Sequence, residues 1–221
     1  MTSSSASPTP PPASAPAVGG LLLFPGAGTG ADHPSLVAIE RAVAQAPGPP
    51  GQSDADGPSL TVARADFPYR KAGRKAPDRA PKLIASVRDE AAALAGVAGI
   101  APATLALGGR SMGGRSMGGR MCSMAVAEGL PAAGLVLIAY PLHPPGKPEN
   151  LRIEHLPRLE VPCLFISGTR DPFGTPDELE SHTKVIPGPV THVWVEGKGH
   201  ELKNADQLIA DTVRDWLAGL S

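Results

Sequence analysis

Three side chains in this 221-residue chain have the types and spacing for acyl chemistry: a serine, an aspartate and a histidine. The serine lies in a G-x-S-x-G frame, and the frame is doubled. Gly108-Gly-Arg-Ser-Met112 is repeated unchanged as Gly113-Gly-Arg-Ser-Met117, so Ser111 and Ser116 are both candidate nucleophiles. Such a frame holds a serine on a sharp strand-to-helix turn. Glycine belongs there because the turn demands backbone angles and close approaches that a Cβ resists. The residue after the serine then offers its N–H at a helix amino end, where negative charge is stabilised. A neutral serine is a weak nucleophile and needs a base within hydrogen-bond reach. His200, next to Gly199, follows an apolar run and suits that task. Asp171 follows another apolar run and would fix the imidazole tautomer.

The two serine copies compete for one turn. Ser111 has normal spacing from the strand before it, and Ser116 has normal spacing from the helix after it. Sliding the helix by five residues to suit Ser111 would rotate it by about 500°. Arg120 would then pack where Ala125 belongs, and burying an unpaired Arg is costly. The extra five residues must therefore bulge, either before Ser116 or after Ser111. Because the oxyanion N–H belongs at the helix end, the spacing favours Ser116, with Ser111 the alternative. The oxyanion donors expected are Ala27 N–H, from Gly26-Ala-Gly28, and Met117 N–H, or Met112 N–H if Ser111 acts. Gly26, Gly28, Arg110 and Arg115 are the candidate substrate contacts.

Stepping outward, strand-like and helix-like runs alternate. Apolar strands are expected at 20–24, 60–64, 104–108, 134–140, 163–167 and 190–195. Helices are expected at 35–45, from Pro81 to the mid-90s, at 120–128, 178–184 and 204–219. This alternation predicts an α/β fold: a doubly wound, mostly parallel sheet covered on both faces. Ligands bind such sheets at the carboxyl ends of the strands. Every candidate above sits at one. The domain is expected over 19–221, after a Pro/Ser/Ala-rich tail at 1–18 that should be disordered.

Composition narrows the partners. Lys and Arg number 20 against 21 Asp and Glu, so bulk charge points to neither nucleic acid nor membrane. No apolar run approaches the ~18 residues of a membrane span. Cys122 and Cys163 fall inside a predicted helix and strand, which suggests buried thiols of a reduced, cytoplasmic compartment. The chemistry needs no metal or cofactor. The substrate expected is a small acyl compound. A run of Arg70, Lys71, Arg74, Lys75, Arg79 and Lys82 reads first as solvated surface, and second as a rim attracting an anionic substrate. Oligomeric state has no signal.

Taken together, the motifs resemble a known family. Leu22-Leu-Phe-Pro-Gly-Ala-Gly28, Asp66-Phe-Pro-Tyr69, Arg74 to Pro81, Gly109 to Gly114, Tyr140-Pro-Leu-His143, Gly168-Thr-Arg-Asp171 and Gly199-His200 carry the likeness. It is similar to the α/β-hydrolase-like domain of a testis-expressed protein, of an NSL-complex subunit and of bacterial dienelactone-hydrolase-like proteins. The resemblance implies a hydrolase core without a large cap, and an esterase or thioesterase activity. Pro25 departs from the family, many of whose members have His there. Some members act as scaffolds, so a hydrolase fold spoiled by the doubled frame and used for interaction is the second reading. Dinucleotide binding through Gly26-x-Gly28-x-x-Ala31 is a distant third, since no acid closes a second strand at the right spacing.

Overall fold

The computed structural model describes residues 18–44, 60–112 and 117–220. The expected tail, the 47–58 loop, Arg115 and Ser116 lie outside the described residues, apart from Val18 in the tail. Six strands form one parallel sheet in the order β2-β1-β3-β4-β5-β6. They are β1 Gly20–Phe24, β2 Thr61–Arg64, β3 Leu105–Arg110, β4 Gly134–Ile138, β5 Cys163–Gly168 and β6 Val190–Val195. The helices are α1 Pro34–Ala44, the single turn α2 Pro68–Lys71, α3 Ala80–Ala98, α4 Gly118–Ala127, α5 Pro176–Thr183 and α6 Asp206–Ala218. The fold is therefore the doubly wound one expected, with no large cap.

Strand residues alternate between two apolar cores. Leu22, Phe24, Leu107, Leu137 and Phe165 face α3 and α4, meeting Leu83, Val87, Met121 and Ala125. Leu21, Leu23, Ala106, Val136 and Ile166 face α1 and α6, meeting Leu36, Ile39, Ile209 and Val213. Sheets covered on both faces favour such unbroken apolar runs. No described helix is long and apolar enough to cross a membrane.

The chain leaves β1 for β2 on one side, then returns to place β3 on the other. That reversal opens a crevice at the carboxyl ends of β1 and β3, where such sheets bind ligands. β3 runs two residues further than expected. Gly109 pairs with Phe24 and Leu137, and Arg110 pairs with Ile138. Of the two reasons for glycine here, close approach is the one at work at Gly109. A Cβ on Gly109 would collide with the Phe24 carbonyl and lie 2.9 Å from Gly118 Cα. A Cβ on Gly118 would strike the same carbonyl and lie 3.0 Å from the Arg110 carbonyl. Strand β3 and the start of α4 thus touch through bare backbone, which is why α4 begins at Gly118, two residues before the expected Arg120.

Candidate active site

Ser111 follows the last residue of β3, and its N–H donates to the Ile138 carbonyl of β4 at 3.0 Å. Its hydroxyl lies 3.0 Å from His200 Nε2. On the other side of the ring, His200 Nδ1 lies 2.8 Å from Asp171 Oδ2. A carboxylate accepts only, so Nδ1 carries the proton and Nε2 presents a lone pair to the Ser111 O–H. Asp171 is buried, and its second oxygen accepts the Phe173 N–H at 2.9 Å. The Phe173 ring meets the His200 ring edge-on at a centroid distance of 4.7 Å. All three groups are at most 6 % exposed, so their hydrogen bonds work in a largely dry setting.

The loops carrying Asp171 and His200 are laced together. Thr169 N–H donates to Val195 O, and Arg170 N–H to Lys198 O at 2.9 Å. Gly168 sits where they touch, and a side chain there would run into the Lys198 carbonyl. Gly168→Ala is therefore expected to cost at least about 2 kcal/mol of stability, read as a lower urea midpoint, and to lower the turnover of whatever folds.

The sequence favoured Ser116. The structure instead brings Ser111 to His200, because the longer β3 carries it to the crevice. Ser116 lies outside the described residues. The elbow is a hybrid. Its strand side comes from the first copy, Gly109-Arg-Ser111, and its helix side from the end of the second, Met117-Gly118. Met117 is the N-cap of α4 and is buried in the core, its sulfur accepting from Tyr69 Oη at 3.8 Å. The Met112 backbone lies instead against the β1 loop, with its nitrogen 2.7 Å from where a Gly26 Cβ would be.

The β1 loop is pinned by groups that spacing alone did not single out. Asp66 Oδ1 accepts the Ala31 N–H at 2.9 Å. The Tyr69 hydroxyl sits by the Gly28 backbone N–H, and burial pushes its pKa up. Phe67 stacks on Phe24 at 4.9 Å. Asp66-Phe-Pro-Tyr69 entered the sequence reading only through the family resemblance. Its physical job is to hold the loop over the crevice. Gly28, with φ of +84°, has a backbone that suits glycine and points into open space.

Arg110 is a correction. Expected as a substrate contact beside the nucleophile, it is among the largest fully buried side chains. One guanidinium nitrogen donates to Ser35 Oγ at 2.8 Å and another to the Glu201 carbonyl. Half of the basic run is answered by carboxylates: Lys71 pairs with Glu90, and Arg74 and Lys82 pair with Asp78. Arg115 lies outside the described residues.

A second serine–histidine pair exists. Ser123 of α4 and His155 Nε2 lie 2.8 Å apart, both buried. Ser123 also donates to the Arg120 carbonyl at 2.9 Å, and no carboxylate partner of His155 is among the described residues' hydrogen bonds. The pair staples the 141–160 excursion to α4 and is no match for the Ser111 line. Burial, then the Arg120 and Arg158 charges, push the His155 pKa from 6.5 to about 4. An unfolded chain takes up this proton below 6.5, while the folded one resists until about 4. Stability should therefore fall as pH drops through that window, by on the order of 1–3 kcal/mol. Urea midpoints from pH 7 to pH 4 should show a steeper loss in this chain than in His155→Gln. Cys122 and Cys163 are free, and burial pushes both thiols up.

Comparison with known proteins follows the same lines. A family model described as "Alpha/beta hydrolase domain" matches residues 18–214. Est1E of Butyrivibrio proteoclasticus superposes with a TM-score of 0.66 at 13% identity, covering 92% of this chain and 88% of that one. A protein of Xanthomonas campestris pv. campestris assigned to the alpha/beta hydrolase superfamily gives 0.61 at 16% identity, covering 91% and 99%. The type II thioesterase BorB, from the borrelidin biosynthetic cluster, gives 0.59 at 19%, covering 90% and 92%. At such identities these likenesses speak to the fold alone.

Proposed function

The chain belongs to the alpha/beta hydrolase domain family, and we propose that it is a serine hydrolase acting on small acyl esters or thioesters. One observation carries the reading: a hydroxyl, an imidazole and a carboxylate stand in line, 3.0 and 2.8 Å apart, at the carboxyl ends of β3, β6 and β5. As Ser111 Oγ attacks the acyl carbon, His200 Nε2 takes the hydroxyl proton. The carbonyl electron pair moves to oxygen, where the Ala27 and Met112 N–H groups would receive it. Collapse breaks the bond to the leaving oxygen or sulfur, which takes the proton back from His200. Water then repeats the cycle on the acyl-enzyme. Asp171 holds the ring and stabilises the imidazolium without itself gaining the proton.

The thioesterase and the lipolytic enzymes LipS and LipT among the structural neighbours carry chemistry of this kind and support the reading. Within the family, the quoted motifs favour the small, cap-less branch of the testis-expressed and NSL-subunit type. The second reading is a catalytically impaired interaction module. It rests on α4 starting at Gly118, so that Met112 lacks the helix end a serine's neighbour ordinarily has. Dinucleotide binding finds its glycine loop already engaged by Asp66 and Tyr69. A fluorophosphonate probe with peptide mapping decides among these. An adduct on Ser111, together with p-nitrophenyl acetate turnover abolished by His200→Ala, is the expected result. Absence of any serine adduct would leave the interaction module standing.

A further inference from the structure

Arg110 is buried, and among the described residues no carboxylate is in hydrogen-bond contact with it, an expensive placement for a cation. Among the described residues its Nε has no partner at all. What it touches explains the placement. It is bonded along the chain to Ser111. Its Nη2 donates to the carbonyl of Glu201, the residue after His200. Its Nη1 donates to Ser35 Oγ, and Ser35 in turn bonds His33 Nδ1 through both its hydroxyl, at 2.9 Å, and its N–H, at 3.3 Å. His33 N–H donates to the Gly30 carbonyl, so this arm ends on the β1 loop. One side chain thus joins the nucleophile's strand, the histidine's loop and the loop that flanks the crevice.

The histidine's loop needs such an anchor. Leu202 and Asn204 hold left-handed φ values of 46° and 58°, which non-glycine residues adopt at a cost. Leu202 is also buried, so packing and the Glu201 carbonyl bond together must hold this backbone in place. A planar guanidinium with fixed, divergent N–H groups can span two acceptors, whereas a lysine offers a single point charge.

We propose that Arg110 is a positioning residue that keeps His200 in line with Ser111 by clamping the Glu201 carbonyl and the Ser35 hydroxyl. This rests on the serine hydrolase reading. If the unmodified chain shows neither phosphonate labelling nor ester turnover, that reading fails first. If it is active, the variants decide the clamp. Kinetics should be measured for Arg110→Met, Arg110→Lys and Ser35→Ala, with turnover divided by the concentration of phosphonate-titratable sites. Misplacing a catalytic group by about 1 Å costs on the order of 10²-fold, so Arg110→Met should lose kcat to that extent with KM little changed. Arg110→Lys should recover part of the loss, and Ser35→Ala should lose several-fold. The downfield proton signal of the His200–Asp171 hydrogen bond should weaken in step. A merely structural role would lower the melting temperature and the titratable fraction while leaving kcat per site intact. That result, or wild-type kcat in both Arg110→Lys and Ser35→Ala should Arg110→Met not fold, overturns the clamp.

Discussion

Ser111→Ala is expected to lower kcat/KM by at least about 10⁴-fold, while Ser116→Ala leaves it little changed. The two serines have identical neighbours for three residues before and four after, so no difference in local sequence separates them. Only the fold does. The Ser111 hydroxyl already meets the histidine base at 3.0 Å, and its own N–H is fixed to the sheet through Ile138. His200 would have to leave Asp171 or Ser111 to serve another hydroxyl. Initial rates on p-nitrophenyl acetate for the two single variants, with urea curves to verify folding, make the comparison. A large loss in Ser116→Ala with none in Ser111→Ala would reverse the assignment.

Removing five residues should raise activity. Deleting 108–112 or 113–117 yields the same chain, with one GGRSM leading directly into Gly118-Gly-Arg-Met121. The Gly109–Gly118 contact is already made, and Gly118 already lies beside Arg110, so one serine and one methionine suffice to bridge them. The residue after the nucleophile would then cap α4. Its N–H would gain the positive end of the helix, a benefit of about 0.3–2 kcal/mol. The shortened chain should therefore turn over up to roughly thirtyfold faster. Both chains must be titrated for active sites before their kcat values are compared. A slower or dead deletion variant would show that the long form is the working one.

Much of the fold was legible in the amino-acid sequence, and part of the site was not. The apolar runs gave the four central strands, because strands buried on both faces need no polar alternation to be seen, and β-branched runs marked the half-buried edge strands β2 and β6. Asp171 and His200 were legible from their places at strand ends. Ser111 was not separable from Ser116, since spacing from the strand and spacing from the helix gave opposite answers. The deciding fact was that Gly109 and Arg110 extend β3 past Gly108, and glycine in sequence signals a turn far more readily than a ladder position. Arg110 was misread for a related reason. Nothing local shows that a cation will be buried when its acceptors, Ser35 and the Glu201 carbonyl, lie 75 and 91 residues away. Tyr69 and Asp66 suffered likewise, their partners being backbone groups of a distant loop.

The bare-backbone meeting of Phe24, Gly109 and Gly118 also bears on how this gene tolerates change. The joint closes ahead of any excursion between strand and helix, so the excursion's length is largely decoupled from the core. Lengthening a loop costs only about 0.6 kcal/mol per doubling. A duplication of fifteen nucleotides could thus pass through replication into protein without wrecking the domain, and the same seam should accept a grafted epitope or affinity tag.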